Sequence, residues 1–290
     1  MGNGDSTFLI AFAPENWGTL ERFQHFCDGT YVFDADTKHA LSGAANHFHK
    51  ARILLELARQ HAPKLEEDEA QLERCGYTPA ERGKELAALI ESVLLELYSS
   101  VDCTRKVVTF IYRNERGVKQ STRKFFQATA EGNVAETVPA QIRQAFAEAT
   151  WYKDFRRVRD ALTHSDIGWC HLDKKSRKAA YMNSALGSAT KALVIDDIFV
   201  HANLLVTHVN QFMGKVFHCL NRTLKDDEVW QMCGTFRCRL YSRLVRPSEA
   251  KDFNGGRCDA FKWFEKDASW ACPRRATCGA YSRRNGEQHK

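Results

Sequence analysis

Residues 81–112 read ERGKELAALIESVLLELYSSVDCTRKVVTFIY, and their apolar spacing decides the fold class. Leu86, Ile90, Val93, Leu97, Val101, Val108 and Ile111 recur at the steps that line one side of a helix. Thr78, Pro79 and Glu81 supply a start, with Thr as cap, Pro at the first position and Glu at the third. Residues 114–117, NERG, supply a stop. The same period predicts helices over Thr37 to His61, Lys64 to Arg74, Ala140 to Leu162 and Asp197 to Asn221. Segment 118–136 reads as a hairpin or short helix, 168–196 as irregular, and Phe8 to Phe12 as a short strand or helix. Long amphipathic helices with mostly short connections predict a mainly α fold, an antiparallel multi-helix bundle over residues 36–223. Residues 1–35 precede it without a clear signature.

Residues 224–290 change character. They carry 14 Lys and Arg against 9 Asp and Glu, five of the ten cysteines and three of the six tryptophans. The bulk of the chain's net charge of +6 therefore sits in this basic, Cys-rich extension. Phe236, Cys238, Leu240 and Leu244 alternate with Arg237, Arg239 and Arg243, which predicts a half-buried strand with Cys238 facing inward. Cys233, Cys238, Cys272 and Cys278, with Cys258 between the pairs, are candidate ligands of a structural zinc ion, which suits a small unit with little apolar mass. A free buried thiol is the alternative at each.

At 43% apolar and 27% charged residues the composition is that of a globular protein, not of a disordered chain. No apolar run approaches a bilayer span, so no membrane partner is expected. The N-terminus lacks a basic segment followed by an apolar one, which predicts a cytoplasmic protein with reduced thiols. Gly2 and Ser6 fit the loose myristoylation pattern, though a polar N-terminus explains them as well.

The chemistry concentrates in Arg159-Asp160-Ala161-Leu162-Thr163-His164. A guanidinium can grip a phosphate with a planar fork, and an imidazole can move protons near neutral pH. The spacing recurs from Arg284 to His289, but that copy lies at the C-terminus without apolar periodicity. The copy at Arg159 borders a stripe formed by Trp151, Phe155, Val158 and Leu162. Residues five apart on a regular helix differ by about 140°, so convergence requires the helix to end near Thr163. Without a function, Arg159 is a solvated side chain paired with Asp160 or Asp166, and His164 a helix-terminal imidazole.

This motif, within a multi-helix bundle, resembles the HEPN superfamily over about residues 35–223. The resemblance implies a metal-independent endoribonuclease of a toxin or defence type, acting as a homodimer with two motifs facing one cleft. It implies that Arg159 holds the scissile phosphate, His164 acts as general base or acid, and Asp160 orients its neighbours. The products would be a 2′,3′-cyclic phosphate and a 5′-hydroxyl, with no catalytic cofactor. Partners would be RNA and an antitoxin or regulatory protein; other relatives only bind nucleotides, RNA or proteins. Arg156 and Arg157 before the motif, and Lys174, Lys175, Arg177 and Lys178 after it, are the expected nucleic-acid contacts. His201 and His208 are further candidates for the cleft. A third class makes the C-terminal segment a zinc-stabilised nucleic-acid binder carried by an inert bundle.

Overall fold

A computed structural model of the chain describes residues 10–11, 18–164, 168–188, 191–249 and 255–284. It is mainly α-helical, with antiparallel β-structure in two small sheets. The chain divides into two compact units, one of residues 34–216 and one that joins residues 1–33 to 217–290. The N-terminal segment therefore shares a unit with the C-terminal extension.

In the 34–216 unit the principal pair is α2 (Ala35–His61) against α4 (Glu81–Ile111). Ala40, Ala44, Ala51 and Ala58 on α2 are buried, and their small side chains let the two backbones run close. Facing them, Leu86, Ile90, Val93, Leu97, Val101 and Val108 are fully buried, each contributing roughly 1.5–3 kcal/mol of apolar burial. The expected Thr78 cap gives way to a different device. Helix α4 begins at Glu81 after Ala80, whose φ is +52°, and Thr78 Oγ1 instead accepts from the Ala80 amide. The first turn is satisfied from outside: Asp68 on α3 (Leu65–Cys75) accepts from the Gly83 amide at 2.8 Å.

The segment 118–136 contains a helix, α5 (Thr122–Ala130). The single helix expected over 140–162 is two, α6 (Ala140–Ala147) and α7 (Tyr152–His164). On one continuous helix Phe146 and Phe155 would stand about 180° apart. The turn between α6 and α7 lets both go inside, at 1% and 2% exposure. Residues 168–196, expected to be irregular, form a three-stranded antiparallel meander of β2 (Trp169–Leu172), β3 (Ala179–Ser188) and β4 (Lys191–Ile195). It docks on α4 where Gly83 leaves no room for a side chain, since a Cβ there would stand 2.2 Å from the Cys170 carbonyl. Helix α8 (Ile198–Asn221), opened by Asp197 accepting from the Val200 amide, runs across the division between the units at Val216 and Phe217.

In the second unit β1 (Ile10–Ala11), β5 (Val229–Phe236), β6 (Arg239–Val245) and β7 (Arg257–Cys258) form an antiparallel sheet in that order, with α1 (Thr19–Phe26) in the same unit. The strand expected through Phe236 to Leu244 is interrupted. Arg237 and Cys238, with φ of +46° and +61°, make a two-residue turn between β5 and β6. The turn resets the alternation: Tyr241, Arg243 and Val245 face inward, while Leu240 and Cys238 are exposed. Cys238 is thus at a hairpin tip and not on an inward face.

A cationic groove around Arg159

Helix α7 places Arg159 by its inner face. Tyr152, Phe155 and Arg159 follow at three- and four-residue steps, so Arg159 continues the buried stripe toward solvent. Its guanidinium lies 4.0 Å from the centre of the Tyr98 ring on α4. Tyr98 is held in turn: its hydroxyl is 3.0 Å from that of Tyr152, whose ring stacks on Phe126 of α5 at 3.7 Å. Burial, and then the bond with Tyr98, raise the Tyr152 hydroxyl far above its ordinary range, so it remains a neutral phenol. Arg159 Nη1 also reaches Asp160 at 3.2 Å, and its buried Nε has no hydrogen-bond partner among the described residues. Burial lowers the Arg159 guanidinium, but Tyr98, Asp160 and Tyr152 together outweigh this and the net shift is upward.

Three hollows of about 760, 390 and 280 Å³ meet around this point and share lining residues along α2, α4, α5 and α7. Arg159 lines two of them, as do Tyr98 and Asp102. Six arginine or lysine side chains and four aspartates line the whole, so the surface is net cationic. Asp102 is the internal counter-ion: it accepts from Arg105 at 2.9 Å and from Thr122, and pairs with Lys106 at 3.3 Å. Burial raises its carboxyl, yet the bonds from Thr122 and Arg105 hold it below the ordinary range. Arg113, Arg123 and Arg156 line the groove as further cations.

The groove also contains an imidazole that no local pattern singles out. His47 on α2 lines the same hollow as Arg159. Its Nδ1 lies 2.6 Å from the Glu96 carboxylate, which can only accept, so Nδ1 is the donor of this bond. Glu96 is also bonded by Lys50 at 2.5 Å; burial raises its carboxyl, but these two partners bring it below its ordinary value. A Cβ on Gly43 would stand 3.0 Å from Cys103 Sγ and 3.9 Å from His47 Nε2, so the thiol and the imidazole flank one point of the groove. Burial pushes the Cys103 thiol up, which keeps it protonated. His47 and Glu96 are 49 residues apart, a pairing visible only once α2 lies along α4.

His164 is the last residue of α7, and its side chain, like residues 165–167, lies outside the described part of the structure. Arg156 lines the groove, whereas Arg157 is an exposed residue of α7. Lys174, Lys175, Arg177 and Lys178 occupy the turn between β2 and β3 and do not line the groove. Three of them are engaged within the unit: Lys174 with Glu73 at 3.1 Å, Arg177 with Glu66 and Glu69 at 2.6 and 2.8 Å, and Lys178 with Asp197 at 3.2 Å. His208 stacks on Trp151, and neither it nor His201 lines the groove.

In the other unit Cys233 is on β5, Cys258 on β7, and Cys272 and Cys278 flank the turns before a short helix (Gly279–Ser282). Among the described residues no three His, Cys, Asp or Glu side chains are already drawn together as a metal-ligand group. No described helix is long and apolar enough to cross a membrane. Compared with models of protein families, with curated proteins and with solved structures, the chain matches none.

Proposed function

We propose that the 34–216 unit is a metal-independent endoribonuclease. Arg159 holds the scissile phosphate, and His164 acts as general base or acid. The observation that supports this reading is the Arg159 guanidinium, clamped on Tyr98 and 28% exposed where the stretches of the cationic groove meet. A clamped guanidinium costs little reorganisation when a phosphate arrives.

In the reaction the ribose 2′-oxygen forms a bond to phosphorus and the bond to the 5′-oxygen breaks. One group takes the 2′-proton and another supplies the proton that leaves with the 5′-oxygen. Arg159 stays protonated and stabilises the charge on phosphorus. His47, oriented by its bond to Glu96, is the second proton-transfer group in the same groove. Because α7 is helical through His164, Arg159 and His164 of one chain are separated by about 140° around the axis. In this reading a homodimer closes the site, each copy offering its motif across the other's groove.

The test is cleavage of end-labelled single-stranded RNA in EDTA, with product ends mapped. Wild type should leave 2′,3′-cyclic phosphates, and His164→Ala and Arg159→Ala should each fall by roughly 10²–10⁴-fold. His47→Ala should show the same loss and a changed acid or base limb in the pH–rate profile. Wild-type cleavage by His164→Ala refutes the assignment. A second reading, a scaffold that binds RNA without cutting it, is favoured by the ion pair of Arg159 with Asp160, which offsets part of the guanidinium's charge. It is identified by salt-sensitive RNA binding that His164→Ala leaves intact while wild type leaves RNA whole.

A further inference from the structure

We propose that the unit joining residues 1–33 to 217–290 carries a binding surface for single-stranded nucleic acid, formed by Arg237 and Arg239 of the β5–β6 hairpin with Trp263, Trp270 and Tyr281. The surface is in a different unit from the groove around Arg159, and its ligand need not be cleaved.

The rings are fastened from beneath. Phe236, Tyr241, Trp263, Phe264 and Tyr281 form a chain in which successive ring centres are 6.4, 4.9, 5.5 and 5.6 Å apart. Tyr241 and Phe264 are buried, whereas Phe236, Trp263 and Tyr281 pack against that core and keep part of their surface in solvent. Tyr241 also donates its hydroxyl to the Trp270 carbonyl at 2.7 Å, which holds the half-buried Trp270 beside the same core. Rings with fixed roots lose little freedom when a base stacks on them.

The charges stand over these rings. Arg239 lies 4.3 Å from the centre of the Trp270 ring and 5.5 Å from that of Trp263. Arg237 lies 5.2 Å from the Phe236 ring and donates to the Ser269 carbonyl at 3.2 Å, which ties the hairpin tip to the turn at Ala268–Trp270. Both arginines are exposed, and the ion pairs of this unit engage Arg257, Lys262 and Arg284 instead. Asp267, a carboxylate on which Arg239 acts, accepts from the Ser269 amide at 2.9 Å and from its hydroxyl at 2.6 Å. A guanidinium over a ring keeps its charge and, along its edge, the N–H donors that fork onto a phosphate.

Cations interleaved with partly exposed rings match a strand of alternating phosphates and planar bases. The rings can accept only bases that are not already paired and stacked in a duplex. A lipid surface would call for protruding apolar side chains here, and the exposed Trp230 and Leu240 of the same hairpin belong to the opposite face of the sheet.

The test is the anisotropy of labelled oligothymidylate titrated with full-length protein at several salt concentrations. DNA lacks the 2′-hydroxyl, so the result is independent of cleavage. Wild type should bind the single strand more tightly than a duplex of equal length. Arg237→Ala combined with Arg239→Ala, changes confined to exposed side chains, should lower the log–log salt slope by roughly 1.4, at about 0.7 per phosphate contact. Trp270→Leu should weaken binding roughly 5–150-fold. Ultraviolet cross-linking of a bromouracil-substituted strand should map to Trp263, Trp270 or Tyr281. Unchanged affinity and slope in the double arginine variant, with cross-links confined to residues 34–216, overturn the proposal even if Trp270→Leu fails to fold. So does a duplex bound as tightly as the single strand. Binding to phosphatidylserine vesicles that the arginine substitutions abolish, while oligothymidylate binding persists, would assign the surface to a membrane and overturn it as well.

Discussion

Replacing Glu91 by leucine isolates the contact that ties the chain after the motif to the bundle. Glu91, 9% exposed on α4, accepts from the Gly168 amide and from the Tyr181 hydroxyl, each at 2.7 Å, and Asn183 donates to the same hydroxyl at 3.1 Å. Tyr181 is itself 1% exposed, and a Cβ on Gly168 would stand 2.4 Å from its ring, so neither donor can swing to another acceptor without moving backbone. Glu91→Leu would leave two buried donors unsatisfied at about 1–3 kcal/mol each, and relief of the carboxylate's own desolvation offsets part of that. The net expectation is a loss of about 2–4 kcal/mol, a fall of about 1–2 M in urea midpoint for an m of roughly 2 kcal/mol/M. Native-state hydrogen exchange should show the loss first at the Gly168 amide and along β2. Glu91→Gln, which keeps an acceptor oxygen, should cost less. Combining Glu91→Leu with Tyr181→Phe should cost less than the two separate losses added together, because one orphaned donor disappears. A Glu91→Leu protein within about 0.5 kcal/mol of wild type would refute this account of how β2 is anchored.

Gly83→Ala should destabilise the 34–216 unit by about 1–3 kcal/mol in the same urea assay, because its Cβ would meet a backbone carbonyl that cannot rotate away. Tyr98→Leu should slow RNA cleavage by roughly 2–30-fold through loss of about 0.5–2 kcal/mol of guanidinium–ring attraction, while Tyr98→Phe, which keeps the ring, should cost less. Asp102 has a depressed carboxyl in the folded protein, so its contribution is present above the ordinary aspartate value of about 3.9 and is lost as pH falls through the folded value. Acid titrations of wild type and Asp102→Asn followed by circular dichroism should therefore diverge at neutral pH and converge in strong acid. In RNA titrations at several salt concentrations, Arg156→Ala should reduce the log–log slope by about one, and Arg177→Ala should leave it unchanged.

The parts of the fold legible in the sequence were those governed by one unbroken period. The face from Leu86 to Ile111 marked α4, and the same period over Asp197 to Asn221 marked α8. The break between α6 and α7 was hidden because the apolar positions continue at helical spacing through Trp151, while the reason for the break lies in Phe126, which meets both Phe146 and Tyr152. The reversed parity of β6 rests on two residues with positive φ, neither a glycine, which no alternation rule reports. At the site, Arg159 was legible because it borders the apolar stripe of Trp151, Phe155, Val158 and Leu162, which the copy of the spacing at Arg284 lacks. Tyr98, Asp102 and the His47–Glu96 pair were not, since each acquires meaning only from a neighbour on another helix.

The contact between the β2–β3 turn and α3 has a consequence for competition. Glu66, Glu69 and Glu73 present their carboxylates to Arg177 and Lys174 as an attached surrogate for a nucleic-acid backbone. Because the surrogate is part of the same unit, its effective concentration is on the order of millimolar or higher, and it never diffuses away. A polyanion reaching this turn enters an exchange reaction, displacing three tethered carboxylates before it gains three contacts of its own. Because these pairs are largely exposed, each holds its partner weakly, so the exchange lowers the net gain from a phosphate contact at this turn without blocking it.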